Sequence, residues 1–467
     1  MKITSICCIG AGYVGGPTMA VIAYHCPEIK ITIVDVNWKK IQKWNGPINN
    51  LPVKEPGLDQ IIKKVRNKNL FFSSDIKNSI QESQMIFIAV NTPTAESGPA
   101  KGMGADLTNV IKTANQIAKF ANTPKIVVEK STLPVRTAEK LKEILERNGK
   151  TSFDIISNPE FLAEGTAIED LFKSDRVLIG GEETISGRKA TKHLMDIYSK
   201  WIPKNRILLT NVWSSELSKL ASNAMLAQRI SSINSLSAFC EKTGADIIEV
   251  SRAIGMDKRI GKEFLKPSVG FGGSCFQKDI LNLVYISKKL GLKEVAEYWE
   301  QVIKINDYQK NRFSKKIEEL TISKDNPLIA VLGWAFKKQT NDSRESASIY
   351  IVKNLLIKGY KINIYDPWIK KEKIMDDILI TLKKLNSSKK IIASIQRNIQ
   401  VCDNINDCVE GSDSIAICTE WDEFKDFDWK SSFKNVNNNC VILDGRNLLN
   451  VDIIKKIGFK IYSLGRQ

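Results

Sequence analysis

The chain opens with a short β-rich apolar run, Ile3–Ile9, then Gly10-Ala11-Gly12-Tyr13-Val14-Gly15, then apolar residues at helical spacing to about Cys26. A second apolar run, Ile29–Val34, ends in Asp35. Short apolar runs bounded by glycine or polar turns read as strands buried on both faces, the habit of a parallel sheet. Met85–Val90, Lys125–Glu129 and Asp154–Ser157 continue the pattern. They end in Asn91-Thr92-Pro93, Lys130-Ser131-Thr132 and Asn158-Pro159-Glu160. In a doubly wound sheet, ligands sit beyond the carboxyl ends of the strands, so these loops are the expected walls of a cleft.

From about Asn211 the period changes. Ser214–Cys240 and Trp299–Ile322 predict helices, and a linker near Asp325-Asn326-Pro327 leads into a second α/β unit. There Leu328–Leu332 is a strand, Gly333–Lys337 a turn, Ser346–Lys358 a helix, and Lys361–Tyr365 a strand ending in Asp366. Asp413–Cys418 and Cys440–Leu443 add further strands. The expected fold is α/β, with two Rossmann-like doubly wound domains joined by a helical domain around a long central helix. The expected boundaries are residues 1–210, 211–324 and 325–467. The Lys/Asn-rich segment Lys370–Asn398 reads as a surface insertion.

The opening glycines carry the first chemical reading. G-x-G-x-x-G between a strand and a helix, with an acid 25 residues after the first glycine, is the dinucleotide-binding pattern in its required context. Gly10 permits the tight turn, Gly12 lets backbone amides approach a pyrophosphate, and Gly15 lets helix and strand pack closely. Asp35 would accept ribose hydroxyls and repel a 2′-phosphate, which favours NAD over NADP; Lys39 and Lys40 pull the other way. The second α/β unit lacks the motif and is expected to bind a different nucleotide or none.

Composition narrows the classes. The 467 residues include 69 Lys+Arg against 52 Asp+Glu, a formal net charge of +17. Basic residues are spread among acids, so the charge concentrates small anions rather than marking a nucleic-acid module. Nine scattered cysteines without a CxxC pair argue for a reducing compartment, and two distant histidines argue against a multi-histidine metal site. No metal is expected. No apolar stretch nears the roughly 18 residues of a membrane span, and no signal peptide is expected before the first glycines. A soluble, cytoplasmic protein is expected, without nucleic-acid or membrane partners.

Chemistry must then rest on Lys, Cys, Asp, Glu and backbone amides. In Gly270-Phe271-Gly272-Gly273-Ser274-Cys275-Phe276-Gln277-Lys278-Asp279, glycines followed by a helical stretch put Cys275 at a helix N-terminus, where the dipole favours thiolate. Lys278 and Asp279 lie three and four residues on, on roughly the same helical face. The alternative is a buried structural cysteine. Glu216, Lys219 and Asn223 share a helix, where Lys219 and Asn223 could stabilise an oxyanion if they line the cleft; a solvated face is the alternative. Glu160, beyond a strand end, suits a general base toward water, or a helix cap.

With Gly10–Gly15, Asn158–Gly165, Ser214–Asn223, Gly270–Asp279 and Gly333–Lys337 in this order, the chain resembles the UDP-glucose/GDP-mannose dehydrogenase family. The resemblance covers nearly the whole chain and is greatest to the animal-type UDP-glucose 6-dehydrogenase branch. It implies four-electron oxidation of UDP-glucose to UDP-glucuronate with two NAD⁺. Cys275 would be the nucleophile carrying a thiohemiacetal and then a thioester. Lys219 and Asn223 would stabilise oxyanions, Asp279 would handle protons and water, and Glu160 would act in thioester hydrolysis with Thr132 holding the water. The resemblance implies cofactor contacts from Gly10, Gly12, Tyr13, Val14, Gly15, Asp35, Lys40, Val90, Asn91, Thr92, Ser131, Thr132, Glu164, Lys278 and Arg344, with Lys130 in a nearby segment. For the UDP-sugar it implies Glu160, Phe161, Leu162, Ala163, Glu164, Lys219 and Asn223. It adds Lys266, Ser268, Val269, Gly270, Phe271, Gly272, Phe336, Lys337 and Arg446. Arg259 would reach a neighbouring subunit's substrate, so a homo-oligomer, a dimer or dimer-based hexamer, is implied. The sequence runs only a little past Gly458–Leu464, so features that depend on the long tail of the animal branch are not expected, and Gln339 and Asn341 stand where Asp and Gly are expected. Four alternatives stay open: a dehydrogenase for GDP-mannose or a UDP-N-acetylhexosamine, a two-electron β-hydroxyacid dehydrogenase using Lys219, an NAD-binding regulatory module without turnover, or a basic nucleic-acid binder.

Overall fold

The computed structural model describes residues 2–384 and 397–466. Its contacts divide the chain into two units, Met1–Ser222 with Leu281–Gly291, and Asn223–Ile280 with Leu292–Gln467.

The first unit holds an eight-stranded sheet. Its strands are β1 (Ser5–Ile9), β2 (Lys30–Val34), β3 (Leu70–Ser73), β4 (Met85–Ile88), β5 (Lys125–Glu129), β6 (Phe153–Ser157), β7 (Val177–Gly181) and β8 (Ile207–Asn211). They run in the order β3-β2-β1-β4-β5-β6-β7-β8. All neighbours are parallel except β6 and β7, which pair antiparallel through Ile156 opposite Gly181 and Ser157 opposite Gly180. Alternation along β1 sends Ile6 and Cys8 into one core, with Met19 and Val21, and Cys7 and Ile9 into the other, with Ile86 and Val110. Burial of both faces is why the sequence reads as a continuous apolar run. The strand order reverses between β1 and β4, the switch point beside which ligands bind in such sheets.

The second unit holds a six-stranded, wholly parallel sheet. Its strands are β9 (Leu328–Leu332), β10 (Lys361–Tyr365), β11 (Ile399–Val401), β12 (Ser414–Ile417), β13 (Val441–Asp444) and β14 (Lys460–Ser463). Their order is β11-β10-β9-β12-β13-β14. The long helices Val212–Thr243 and Lys293–Thr321 supply the helical segment between the sheets. Among the described residues, no helix is long and apolar enough to cross a membrane.

One expectation is overturned. The first part of the supposed surface insertion is the helix Lys371–Lys384, and its Ile374, Ile378 and Leu382 are buried in the core of the second unit. That spacing is an apolar stripe hidden among lysines. Asp377 on the same helix accepts from Trp334 Nε1 at 3.1 Å and Ser343 Oγ at 2.5 Å. Residues 385–396 lie outside the described residues.

Candidate active site

The first glycine turn has the geometry a dinucleotide needs. Gly10 sits at φ +115°, and a Cβ there would lie 2.3 Å from the Ala89 carbonyl oxygen. A Cβ on Gly15 would lie 2.1 Å from the Gly10 carbonyl, whereas one on Gly12 would meet nothing within 4 Å. Gly12 is therefore the open side of the turn, where a ligand approaches bare backbone. The following helix, Gly15–His25, has no acid in its first turn and no side-chain cap from Val14. Its leading amides are thus not claimed by a capping side chain, which suits a pyrophosphate. Tyr13 and Val14 lie half-buried in the same turn.

Asp35, at the end of β2, locks this turn. Its carboxylate accepts from the Ala11 amide at 3.0 Å and the Asn37 amide at 2.9 Å, and Lys40 Nζ lies 2.9 Å away. Burial alone would raise its pKa, but the two amides and the Lys40 ammonium together hold it below the ordinary value. Lys40 therefore neutralises Asp35.

Past β4 and β5, the Ser131 hydroxyl donates to the Val90 carbonyl at 2.6 Å, and the Thr92 hydroxyl donates to the Thr132 carbonyl at 3.1 Å. These bonds tie Val90, Asn91 and Thr92 to Ser131 and Thr132 as one wall. Beyond β6, Glu160 is buried and lies 3.2 Å from Lys219 Nζ on the long helix. Burial would raise the Glu160 pKa, yet Lys219, the Leu162 amide at 2.7 Å and the charge on Lys130 bring it below the ordinary value. Lys219 is 4% exposed, so it is not on a solvated face. It stands 5.3 Å over the Phe161 ring, which Arg176 covers at 3.9 Å. Leu162, Ala163 and Glu164 continue this loop. The Ala163 amide donates to Asp170 at 2.9 Å and the Gly165 amide to Glu55 at 2.9 Å.

Glu216 departs from the expected grouping with Lys219. It accepts from the amides of Arg136 and Ala138 at 2.7 and 2.9 Å, at the start of the helix Thr137–Asn148. Its neighbour is Glu129, a fully buried carboxyl whose pKa burial and Glu216 raise well above the ordinary value. Burial pushes Glu216 itself up to about 7. The sequence reading missed this carboxyl pair, and it also missed Asn158 and Tyr198 around Lys130.

In the second unit, Cys275 is exposed while the other eight cysteines are buried. It immediately precedes the helix Phe276–Lys289, and its carbonyl accepts the Asp279 amide at 2.8 Å. Its Sγ lies 3.6 Å from the Ser274 hydroxyl. Asp279 is 1% exposed; it accepts from Asn223 Nδ2 at 2.6 Å and lies 3.8 Å from Lys278 Nζ. A thiol ahead of a helix is placed where the dipole favours thiolate.

The loop before it is pinned from behind. Asn234 accepts the Ser268 amide at 2.8 Å, Gln309 donates to the Ser268 carbonyl at 2.7 Å, and Asn306 bonds both the amide and carbonyl of Phe271. None of these three anchors was identified from the sequence, because they sit on helices 34–41 residues away. A Cβ on Gly272 would lie 2.8 Å from Phe336 Cβ, and the Gly273 amide donates to the Arg344 carbonyl at 2.8 Å. Gly270, Phe271, Gly272 and Phe336 are thus brought together, with Lys337 Nζ 5.9 Å from the Phe336 ring centre. Arg446 donates to the carbonyls of Cys418 and Phe336 at 2.7 and 3.0 Å and pairs with Glu420 at 3.2 Å. Val269 is fully buried in the core, so only its backbone faces this loop. Lys266 is exposed. The guanidiniums of Arg259 and Arg344 are exposed and forked onto Asp257 and Asp342.

The Rossmann turn of the first unit, with open backbone at Gly12 and a helix starting at Gly15, defines a dinucleotide-binding protein. Residues 4–202, 213–308 and 330–451 match, in turn, the NAD binding domain, the central domain and the UDP binding domain of the UDP-glucose/GDP-mannose dehydrogenase family, and the chain belongs to that family. It is 54% identical to the UDP-glucose 6-dehydrogenase of Drosophila melanogaster, over 99% of this chain and 96% of the fly protein. It is 51% identical to the mouse UDP-glucose 6-dehydrogenase, over 100% of this chain and 94% of that one. Among solved structures, a UDP-glucose dehydrogenase from Pyrobaculum islandicum superposes with a TM-score of 0.83 at 27% identity, covering 100% of this chain and 98% of that chain. The cofactor is NAD.

Proposed function

We propose that the protein oxidises the C6 alcohol of UDP-glucose to a carboxylate, passing two hydrides to two successive NAD⁺ and releasing UDP-glucuronate. The observation that carries this reading is the exposed Cys275 at the head of its helix, alone among nine otherwise buried cysteines. A two-electron alcohol dehydrogenase needs a base but no nucleophile. A four-electron oxidation must hold the aldehyde while the reduced cofactor leaves, and a thiolate does that covalently.

Bound NAD⁺ supplies the hydride acceptor in each round. In the first, the C6 hydroxyl gives its proton to water that Asp279 helps to handle and its carbon gives up a hydride, and the Lys219 ammonium stabilises the alkoxide between those events. The Cys275 thiolate then adds to the aldehyde carbon, forming a C–S bond and a second oxyanion, which Asn223 and Lys219 stabilise. Loss of the second hydride leaves a thioester. Water held by Thr132 attacks it with Glu160 accepting the proton, the C–S bond breaks, and the thiolate is regenerated. Asp279 receives and returns protons around the sulfur. Gly270–Gly272, Phe336, Lys337 and Arg446 grip the UDP-sugar, and Arg259 reaches the substrate of a neighbouring subunit in a dimer or dimer-based hexamer. The protein works in the cytoplasm.

NADH counted against each sugar nucleotide tests the reading. Two NADH per UDP-glucose are expected. One per UDP-glucose, or turnover only with GDP-mannose or a UDP-N-acetylhexosamine, would contradict it.

A further inference from the structure

Lys130 follows strand β5 directly, and its ammonium is fully buried in the first unit, away from solvent that would hydrate it. Its Nζ lies 3.1 Å from Asn158 Oδ1 and 3.3 Å from the Tyr198 hydroxyl. That hydroxyl donates to the same Oδ1 at 2.8 Å, while Asn158 Nδ2 donates to the Leu178 carbonyl at 2.7 Å. Asn158 is therefore held with its acceptor toward the ammonium, and the Tyr198 oxygen offers a lone pair. Among the described residues, the hydrogen-bond partners of Lys130 are all neutral. The compensating negative charge is that of Glu160, which pairs with Lys219 at 3.2 Å and acts on Lys130 more weakly, through its charge alone.

One carboxylate thus serves two buried ammoniums. A Glu160–Lys219 pair alone would be electrically neutral and a poor host for a developing anion. We propose that Lys130 is a positioning residue for the oxidation: acting through Glu160, its ammonium draws on that carboxylate's charge and leaves Lys219 positive toward the oxyanions formed at C6. This rests on the function proposed above and adds to it the requirement for a second, buried cation.

The groups facing Lys130 are few. Glu160 favours its charged form, and Lys219 opposes it. The Cys8 thiol on β1 and the Tyr198 phenol on the helix Ile185–Tyr198 are both raised by burial, so they stay neutral. Burial lowers Lys130 to about 8, so its charge is lost within the range where the enzyme can be assayed.

The test is kcat/KM for UDP-glucose at saturating NAD, from about pH 6.5 to about pH 10, where the profile reports groups of the free enzyme. Wild type, Lys130→Met and Lys130→Arg are compared, with melting temperature and NAD affinity confirming that each variant folds. Wild-type activity should fall above about pH 8, and Lys130→Met should be at least about tenfold slower near neutrality, with the gap closing as wild type loses its own charge. Lys130→Arg should restore activity on the alkaline side. Tyr198→Phe, which removes one acceptor from the ammonium, should move the wild-type limb to lower pH and serves if the Lys130 variants do not fold. A wild-type profile flat to about pH 10, or a Lys130→Met defect of equal size at every pH, would overturn the proposal while leaving the substrate reading intact. A wild type with no UDP-glucose turnover at any pH would overturn the substrate reading, and this proposal with it.

Discussion

The two sheets build the same turn and use it differently. In the first unit the chain leaves β1 at Gly10, whose amide donates to the Val34 carbonyl at 2.8 Å, and Asp35 at the end of β2 grips the Ala11 amide. In the second it leaves β9 at Gly333, at φ +101°, whose amide donates to the Tyr365 carbonyl at 2.8 Å. There Asp366, at the end of β10, grips the amides of Trp334 and Ala335 at 2.7 and 2.9 Å. The difference lies in what occupies the mouth of the turn. Gly12 leaves open space and the helix starts at Gly15, so its leading amides are left open. After Gly333 comes Trp334, fully buried and bonded to Asp377, and the next helix begins only at Ala347. A strand–glycine–acid frame is therefore a generic way to turn a chain. Two more glycines and an immediate helix make it a pyrophosphate site.

Substitutions that treat the two turns alike should separate these roles. The largest effect is expected for Gly10→Val, whose side chain would meet the Ala89 carbonyl in a backbone conformation that costs a branched residue about 1–3 kcal/mol. NAD binding should be abolished in an isothermal titration. Gly333→Val, 2.4 Å from Thr419, should lower the melting temperature comparably but leave NAD affinity unchanged in whatever folds. Next comes Asp366→Ala. Asp366 also accepts Trp421 Nε1 at 3.1 Å, and stranding several buried donors should cost about 3 kcal/mol in denaturant unfolding, without weakening NAD. Asp35→Ala should do the reverse: NAD should bind about tenfold more weakly, about 1.4 kcal/mol, and discrimination against NADP should relax. An Asp366 variant that lost NAD, or an Asp35 variant that kept both affinity and preference, would break the comparison.

The smallest effect concerns the carboxyl pair Glu129 and Glu216 of the first unit. Glu216 is held up to about 7 by burial, so the folded protein binds more protons than the unfolded chain between the ordinary carboxyl value and that point. The contribution is stabilising in acid and declines as pH rises through this window. Glu216→Gln removes the titrating carboxyl and should flatten the decline, raising the melting temperature at pH 8 by about 3 °C relative to its effect at pH 5. An unchanged pH dependence would remove the pair from the stability balance.

The legible parts of this molecule are those where neighbours in sequence do the work. Gly10, Gly12, Gly15 and Asp35 announce the cofactor turn because a tight turn constrains consecutive residues. Cys275 ahead of its helix is read the same way. The strands β3, β7 and β8 were not anticipated: β7 is only Val-Leu-Ile-Gly-Gly, and its antiparallel pairing depends on β6 across the sheet. Lys130, Asn158 and Tyr198 meet from three separate elements, with contacts spanning 28–68 residues, and no local pattern signals that. The helix Lys371–Lys384 did carry a signal. Its buried Ile374, Ile378 and Leu382 repeat every four residues, but the surrounding lysines obscured the stripe.

The covalent role proposed for the sulfur is open to direct inspection in a Glu160→Gln variant, which is expected to slow thioester hydrolysis while leaving Cys275 in place. Acid quench during turnover, followed by peptide mass mapping, should find the glucuronyl adduct on the peptide carrying Cys275. An unmodified Cys275 peptide throughout turnover that still yields two NADH per sugar would contradict the account.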